Sequence, residues 1–356
     1  MTKYIIPIFL PLFFLASCVT TNYITIDVRE PASVSFEPDM KNIVIVNNSA
    51  SQEDEEIKTN GEKKDDLLLL STDSARTIFT NSLRQFMDEE KYFHKIDVYP
   101  YATNKGKGNE VRPLSARNVQ TICYEKNADA LISLDLFLVT AELESVNSDY
   151  FSVYNVLKAK LGSMLRVYDI DGSLLAPPIV HLDSIFMDGF TDWAHRVNRI
   201  PEINSMVNDI SIKAADDITS AFIPSWKTQT RWFYSDNSKE MQNALLLVQQ
   251  DKWQGAADIW GELYDKETNV KKRTRLASNL ALANENLDDI ENALDWINTA
   301  FDLLPPAGKS SLAVEVALYK ELLFKRLNNT PKLYQQLGIE LPIGEDDIIE
   351  DDSTIE

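Results

Sequence analysis

The spacing of apolar residues changes several times along the chain. A short apolar run, Tyr4–Phe14, is followed by alternation over Tyr23, Ile24, Ile26, Val28, Val34 and Phe36, which predicts an extended segment. Ile43-Val44-Ile45-Val46 reads as a buried strand, because a β-branched run with no polar alternation needs cover on both faces. The acidic stretch from Gln52 to Asp66 is too charged for a core and reads as a loop. Ser71-Thr72-Asp73-Ser74 offers N-caps for a helix whose apolar face is Ala75, Ile78, Phe79, Leu83 and Phe86. A strand over Phe93–Tyr99, a helix from Ser115 to about Asn127, and strands at Ala130–Val139, Ser152–Tyr168 and Leu174–Ile185 follow. Asp171-Gly172 marks the turn between the last two, and Pro177-Pro178 interrupts the returning strand. Ile203, Met206, Val207, Ile210, Ala214, Ile218 and Phe222 then recur at helical spacing up to Pro224.

This order predicts a mixed sheet with helices over roughly residues 38–224. Three short motifs lie in it: Ile43-Val44-Ile45-Val46, Lys126-Asn127-Ala128-Asp129-Ala130-Leu131-Ile132, and Leu165-Arg166-Val167-Tyr168-Asp169-Ile170-Asp171-Gly172. Their order resembles the small domain shared by the TolB N-terminal domain, the curli-secretion lipoprotein and the lipoprotein activators of penicillin-binding proteins. The long acidic loop after the first strand departs from that group.

Beyond Trp226 and Arg231-Trp232-Phe233-Tyr234 the texture becomes helical. Trp253–Trp260 aligns with Ile290–Ile297, and Ala256 and Ala293 stand 37 residues apart. Ala277, Leu280, Ala281, Asn284, Ala293, Ala300 and Pro305 fit the tetratricopeptide pattern, whose period is about 34. Small residues there let antiparallel helices approach closely. The first copy is degenerate, with Leu263 at the second alanine position, and a helix over Ser311–Leu327 caps the stack. The expected class is therefore α+β: an N-terminal mixed-sheet α/β domain, then an all-α tetratricopeptide-like domain. The divisions are 1–17 signal, 18–37 tether, 38–224 α/β domain, 225–237 aromatic connector, 238–330 helical domain and 331–356 acidic tail.

The chain start changes the functional picture. Lys3, the apolar run and Leu15-Ala16-Ser17-Cys18 resemble a secretory signal ending in a bacterial lipobox, which implies acylation of Cys18. Acyl chains contribute about 0.8 kcal/mol per buried CH₂, enough to hold a domain on a bilayer. By the same resemblance, the absence of Asp after Cys18 implies the outer membrane and its periplasmic face, with surface exposure as the alternative. That leaves Cys123 without an internal disulfide partner, and it reads as a small buried apolar residue. A net charge of −20 opposes binding to phosphate backbones, so no nucleic-acid partner is expected.

Candidate chemistry is sparse. His94, His181 and His195 lie on different predicted elements with no metal-ligand spacing, so neither metal nor cofactor is expected. No nucleophile, phosphate-loop or dinucleotide motif is present, and the reading is that the protein is not an enzyme. Candidate binding positions are Trp226 and Trp232 in the connector and Asn243, Asn279 and Asn284 on the helical repeats. The expected role is a non-catalytic adaptor or regulator in envelope assembly, secretion or wall synthesis. Its partners would be the membrane, through lipid, and envelope proteins or peptides. The alternative is an oligomeric transport component like the curli-secretion lipoprotein. Its strands at 130–140 and 151–186 would then form membrane hairpins despite Glu142, Glu144, Lys158, Lys160 and Arg166, and a homo-oligomer fits that reading.

Overall fold

The computed structural model describes residues 19–52, 55–56, 67–107, 110–147, 153–188, 200–305 and 310–340. The signal stretch, Cys18, His195 and most of the acidic tail lie outside the described residues. In chain order the elements are β1 (Thr20–Glu30), β2 (Asn42–Asn47), β3 (Glu55–Glu56), β4 (Leu67–Leu69), α1 (Asp73–Glu89), β5 (Lys95–Val98), α2 (Ala116–Lys126), β6 (Ala130–Asn147), β7 (Val153–Asp169), β8 (Ile179–Asp188), α3 (Ile200–Thr219), β9 (Ser225–Ser235), α4 (Lys239–Gln249), α5 (Trp253–Lys266), α6 (Val270–Asn286), α7 (Ile290–Asp302) and α8 (Ser311–Leu337). The fold is α+β. Among the described residues no helix is long and apolar enough to cross a membrane.

The chain divides into two compact units: Glu30–Ser225 with the segment from Lys332, and Trp226–Pro331 with the segment ending at Arg29. In the first, the sheet unit, β6 is the spine. Along one edge it pairs antiparallel with β7 over nearly its whole length. Its other edge is shared, with β2 parallel to the first half and β4 antiparallel beyond it. Beyond these, β5 extends β2, β3 extends β4 and β8 extends β7.

The alternation within β6 reverses once. Ala130, Ile132 and Leu134 face the larger core, and so do Phe137, Val139 and Ala141. Even positions give way to odd ones because an irregularity between Leu134 and Leu136 inserts Asp135 into the ladder. That core is sealed by α1, through Ala75, Phe79, Leu83 and Met87, and by α3, through Ile203, Met206, Val207, Ile210, Ala214 and Ile218. On the opposite face α2 covers Val44, Val46, Leu131 and Tyr168, and Cys123 lies buried there. Val180, Leu182 and Phe186 of β8 stay exposed.

The sequence motifs acquire physical roles. Ser115 caps α2 by accepting from the Asn118 N–H at 3.3 Å, and Asn127 ends it in the left-handed region at φ 50°. Asp129 then accepts from the backbone N–H groups of Lys41 and Asn42 at 2.9 and 2.8 Å, which fixes the start of β2. Gly172 turns at φ +91° so close to α2 that a Cβ would stand 2.5 Å from the Ala116 Cα.

The second, helical unit corrects two expected divisions. Most of the 225–237 segment is strand β9 (Ser225–Ser235) rather than a connector, and it pairs with β1, which is therefore more than a tether. Asn22 Nδ2 donates to Ser235 Oγ at 2.9 Å and Thr228 Oγ1 to Asp27 Oδ1 at 2.7 Å across the pair. The reason is composition: β9 is rich in Thr and aromatic residues, which suit a half-buried pleated ribbon. The tail begins later than expected, since α8 runs to Leu337, where Gln336 Oε1 accepts from the Ala32 N–H within the sheet unit at 2.9 Å. Part of the expected acidic loop is strand too, because Glu55–Glu56 pairs with β4. In the helical unit Ala256, Ala277, Ala281, Ala293 and Ala300 are fully buried, and Trp260 fills the space beside Phe233 with ring centroids 6.0 Å apart.

Candidate functional site

A cavity of about 190 Å³ opens in the helical unit. Its walls include Val19, Tyr234, Met241, Leu263 and Leu276, with Arg275 among them. Four elements build it, and α5 brings Leu263. β9 brings Tyr234, whose backbone is held on α6 by Asn279: the Tyr234 N–H donates to Asn279 Oδ1 at 2.8 Å, and Asn279 Nδ2 donates to the Tyr234 carbonyl at 2.7 Å. The start of α4 brings Met241, and α6 brings Leu276 and Arg275.

The cavity's electrostatics centre on Arg275. Its guanidinium lies 5.8 Å from the centre of the Tyr234 ring, and its buried Nε has no hydrogen-bond partner. Among the described residues no carboxylate pairs with it. Three acids share the wall: Glu240 is exposed at the start of α4, and Asp236 accepts from the Ser238 N–H and Oγ–H at 2.8 and 2.6 Å. Glu267 accepts from the backbone of Thr268 and Asn269 and pairs with Lys272 at 3.7 Å. Burial, and then the hydrogen bond from its own hydroxyl to Glu315 at 2.6 Å, push the Tyr234 phenol far up, so it stays neutral. The cavity thus offers an apolar wall, an aromatic face, a polar side with Asp236, Glu240, Glu267 and Lys272, and one cation, Arg275, with no paired carboxylate among the described residues. That set suits a carboxylate carried on an apolar body.

The predicted binding residues are scattered. Trp232 is buried against Tyr319, with ring centroids 5.8 Å apart, so it packs the core instead of meeting a partner. Asn279 is buried and its amide is used on the β9 backbone, which leaves nothing for a ligand. Asn284 Nδ2 donates to the Leu280 carbonyl within its own helix at 2.8 Å. Asn243 is exposed on α4, and Trp226 is exposed beneath the Arg29 guanidinium at 5.7 Å. None of the five lines the cavity. Arg275 carries no motif, and only its place one residue before the buried run from Leu276 to Ala283 hinted at it.

Two buried networks also escaped the sequence. Glu285 in α6 is fully enclosed, and Arg231 of β9 clamps it with two bonds of 2.8 Å. Tyr319 Oη donates to the same carboxylate at 2.8 Å, and Arg326 reaches it at 3.3 Å. In the sheet unit, the irregularity in β6 turns Asp135 into the interior, where Asn48 Nδ2 donates at 2.8 Å, Ser133 Oγ at 2.5 Å, and Arg166 forms an ion pair. Arg166 is thus a structural counter-ion. Lys158 pairs with Glu144 at 3.1 Å, and Lys160 pairs with Glu142.

The fold assembles one group with metal-ligand character. His181 and Asp183 of β8 and Asp217 of α3 bring ligand atoms within 4.8 Å of one another. Lys213 Nζ donates to Asp183 at 2.8 Å and to Asp217 at 2.6 Å, and these bonds raise its pKa. His94, by contrast, is exposed and apart from this group. Cys123 remains a buried free thiol whose pKa burial pushes up to about 11.

The model described as Domain of unknown function (DUF8603) matches residues 40–234, more than half of the chain. A second, Domain of unknown function (DUF6340), matches residues 242–325. No curated protein matches the chain. Among solved structures the chain is similar to a minor lipoprotein from Acinetobacter baumannii, at 10% identity over 52% of this chain and 95% of the other, with a TM-score of 0.25. It is similar to the rare lipoprotein B from Shewanella oneidensis at 11% identity, over 51% and 92%, with a TM-score of 0.23. A hypothetical protein from Chlamydia trachomatis gives 10% identity, 51% and 95%, and a TM-score of 0.24. Likenesses this distant carry no argument about fold or function.

Proposed function

The chain belongs to the DUF8603 family, and we propose that it is a lipid-anchored cell-envelope protein acting as a non-catalytic adaptor. In this reading its helical-unit cavity holds a carboxylate-bearing segment of a partner protein. The observation that carries the reading is Arg275, a cation with no paired carboxylate among the described residues, beside the apolar wall of a cavity in a chain with net charge −20. A partly buried guanidinium whose Nε has no partner carries a desolvation cost, and a bound carboxylate would relieve it. The lipobox-like stretch ending at Cys18 supports the anchor, and its placement at the periplasmic face of the outer membrane rests on the absence of Asp at position 19. Val19, the next residue, already lines the cavity, so the acyl chains would leave the protein beside it.

A non-catalytic role is favoured because the Glu285, Arg231 and Arg326 charges of the helical unit are spent on one another. The tetratricopeptide reading belongs to the same proposal, supported by the buried alanines of consecutive helices. The transport alternative has less in its favour. One face of the β6–β7 hairpin packs under α1 and α3, and the charges on its other face form cross-strand pairs.

Two experiments test the proposal. Alkyne-palmitate labelling in cells is expected to mark the protein and to miss the Cys18→Ala variant; equal labelling of both would remove the anchor. For the cavity, a hexapeptide library is displayed with free or amidated C-termini and probed with the full-length protein. Preference for free carboxylates that Arg275→Met abolishes is expected, and indifference to the terminus would remove the cavity reading.

A further inference from the structure

The sheet unit contains a polar side-chain cluster between β8 and α3 that the adaptor reading does not use. His181 and Asp183 are two residues apart on a strand, so both face α3. Asp217 comes from α3 itself, and Lys213, one turn earlier, bridges the two carboxylates. Ser163 of β7 stands directly opposite His181 in the ladder.

Two atoms of this group have no partner. His181 Nε2 is sealed from solvent and makes no hydrogen bond. Ser163 is only 1% exposed, and its Oγ also makes none. Buried polar atoms are nearly always satisfied, and each orphan costs about 1–3 kcal/mol. Two orphans on directly opposed residues, next to two carboxylates whose counter-ion is one half-exposed ammonium, describe a site short of a ligand. The Lys213 side chain is 49% exposed, so it can swing out to water without breaking the core.

We propose that His181, Asp183 and Asp217 bind a divalent transition-metal ion of the zinc type, which takes the place of the Lys213 ammonium. One imidazole and two carboxylates form a three-ligand set that suits a borderline ion and leaves a fourth position to water. The Ser163 hydroxyl supplies a hydrogen-bond partner for that water. Ligand atoms on a tetrahedral zinc lie about 3.3 Å apart, from bonds of about 2.0 Å. The present spacing of up to 4.8 Å therefore closes by rotation of side chains on ordered elements. Lys213 then acts as a gate: its charge holds the carboxylates together while no metal is bound and competes with the metal for them. This inference does not depend on the adaptor reading.

Isothermal titration of the chelator-treated full-length protein with ZnCl₂ tests it. One equivalent is expected to bind. Asp217→Asn, which alters an exposed side chain, weakens binding about tenfold or more, as does His181→Ala. Lys213→Met removes the competitor and tightens binding about tenfold. Co²⁺ substitution gives the visible absorption of a four-coordinate site in the wild type and loses it in Asp217→Asn. The proposal is overturned if neither the wild type nor Lys213→Met takes up zinc, or if uptake is indifferent to Asp217→Asn and His181→Ala.

Discussion

The helical unit and the sheet unit each hold carboxylates near cations, and they do so in opposite ways. Around Glu285 every group has a partner: the Arg231 fork takes both oxygens, Tyr319 adds a hydroxyl, and Arg326 closes the remaining side. Around Asp183 and Asp217 a half-exposed lysine is the counter-ion, and the buried Nε2 of the imidazole beside it has no hydrogen-bond partner. The first arrangement is closed. It can fix β9 on α6 and α8, but it has no capacity left for a ligand. The second is open, and so is the Arg275 cavity. The difference teaches where to look for function: a charge completely satisfied inside the fold is architecture, and one left partly unsatisfied is available for binding.

Mutations sharpen this contrast. Glu285→Ala strands the buried Arg231 and is expected to destabilise the helical unit by about 3–5 kcal/mol, read by chemical denaturation. Gly172→Ala forces a Cβ onto α2 at an unfavourable φ and is expected to cost the sheet unit about 2 kcal/mol, seen as a lower melting temperature. Lys213→Met removes only a half-exposed pair, so its expected cost in denaturant is under about 1 kcal/mol. A cost near that of Glu285→Ala would erase the distinction between closed and open clusters.

The smallest effect is a pH dependence. Burial raises the Cys123 thiol to about 11 from its ordinary 9.0, with Asp169 and Asp129 adding to the shift. The folded state therefore keeps a proton that the unfolded state releases. This contribution to stability is fully present below pH 9 and is lost progressively as the pH climbs to about 11. Denaturation midpoints for the wild type and Cys123→Ala are expected to diverge only in that window.

Most of the sheet unit was legible because its strands and helices obey their periods. Ile43–Val46 is continuous and buried, and the apolar residues of α3 recur as expected. The strand nature of β9 was hidden by its proximity to the helical texture, although Thr228, Thr230, Trp232 and Tyr234 alternate in sequence. The sites were less legible for a physical reason. Arg275, Glu285 and Asp217 owe their roles to residues far away in the chain, and in a protein with 55 acidic residues no single carboxylate stands out. Asn243, Asn279 and Asn284 were expected as binding positions on the helical repeats. Asn279 is polar because it holds the strand beside it.

The most direct measurement of the adaptor reading is photo-crosslinking in cells, with a photoreactive amino acid at Leu263 on the cavity wall and a control at the exposed Tyr124. The account predicts a discrete adduct with an envelope protein from position 263, absent from position 124 and lost when Arg275→Met is added. Adducts that are the same from both positions, or that persist without Arg275, would contradict it.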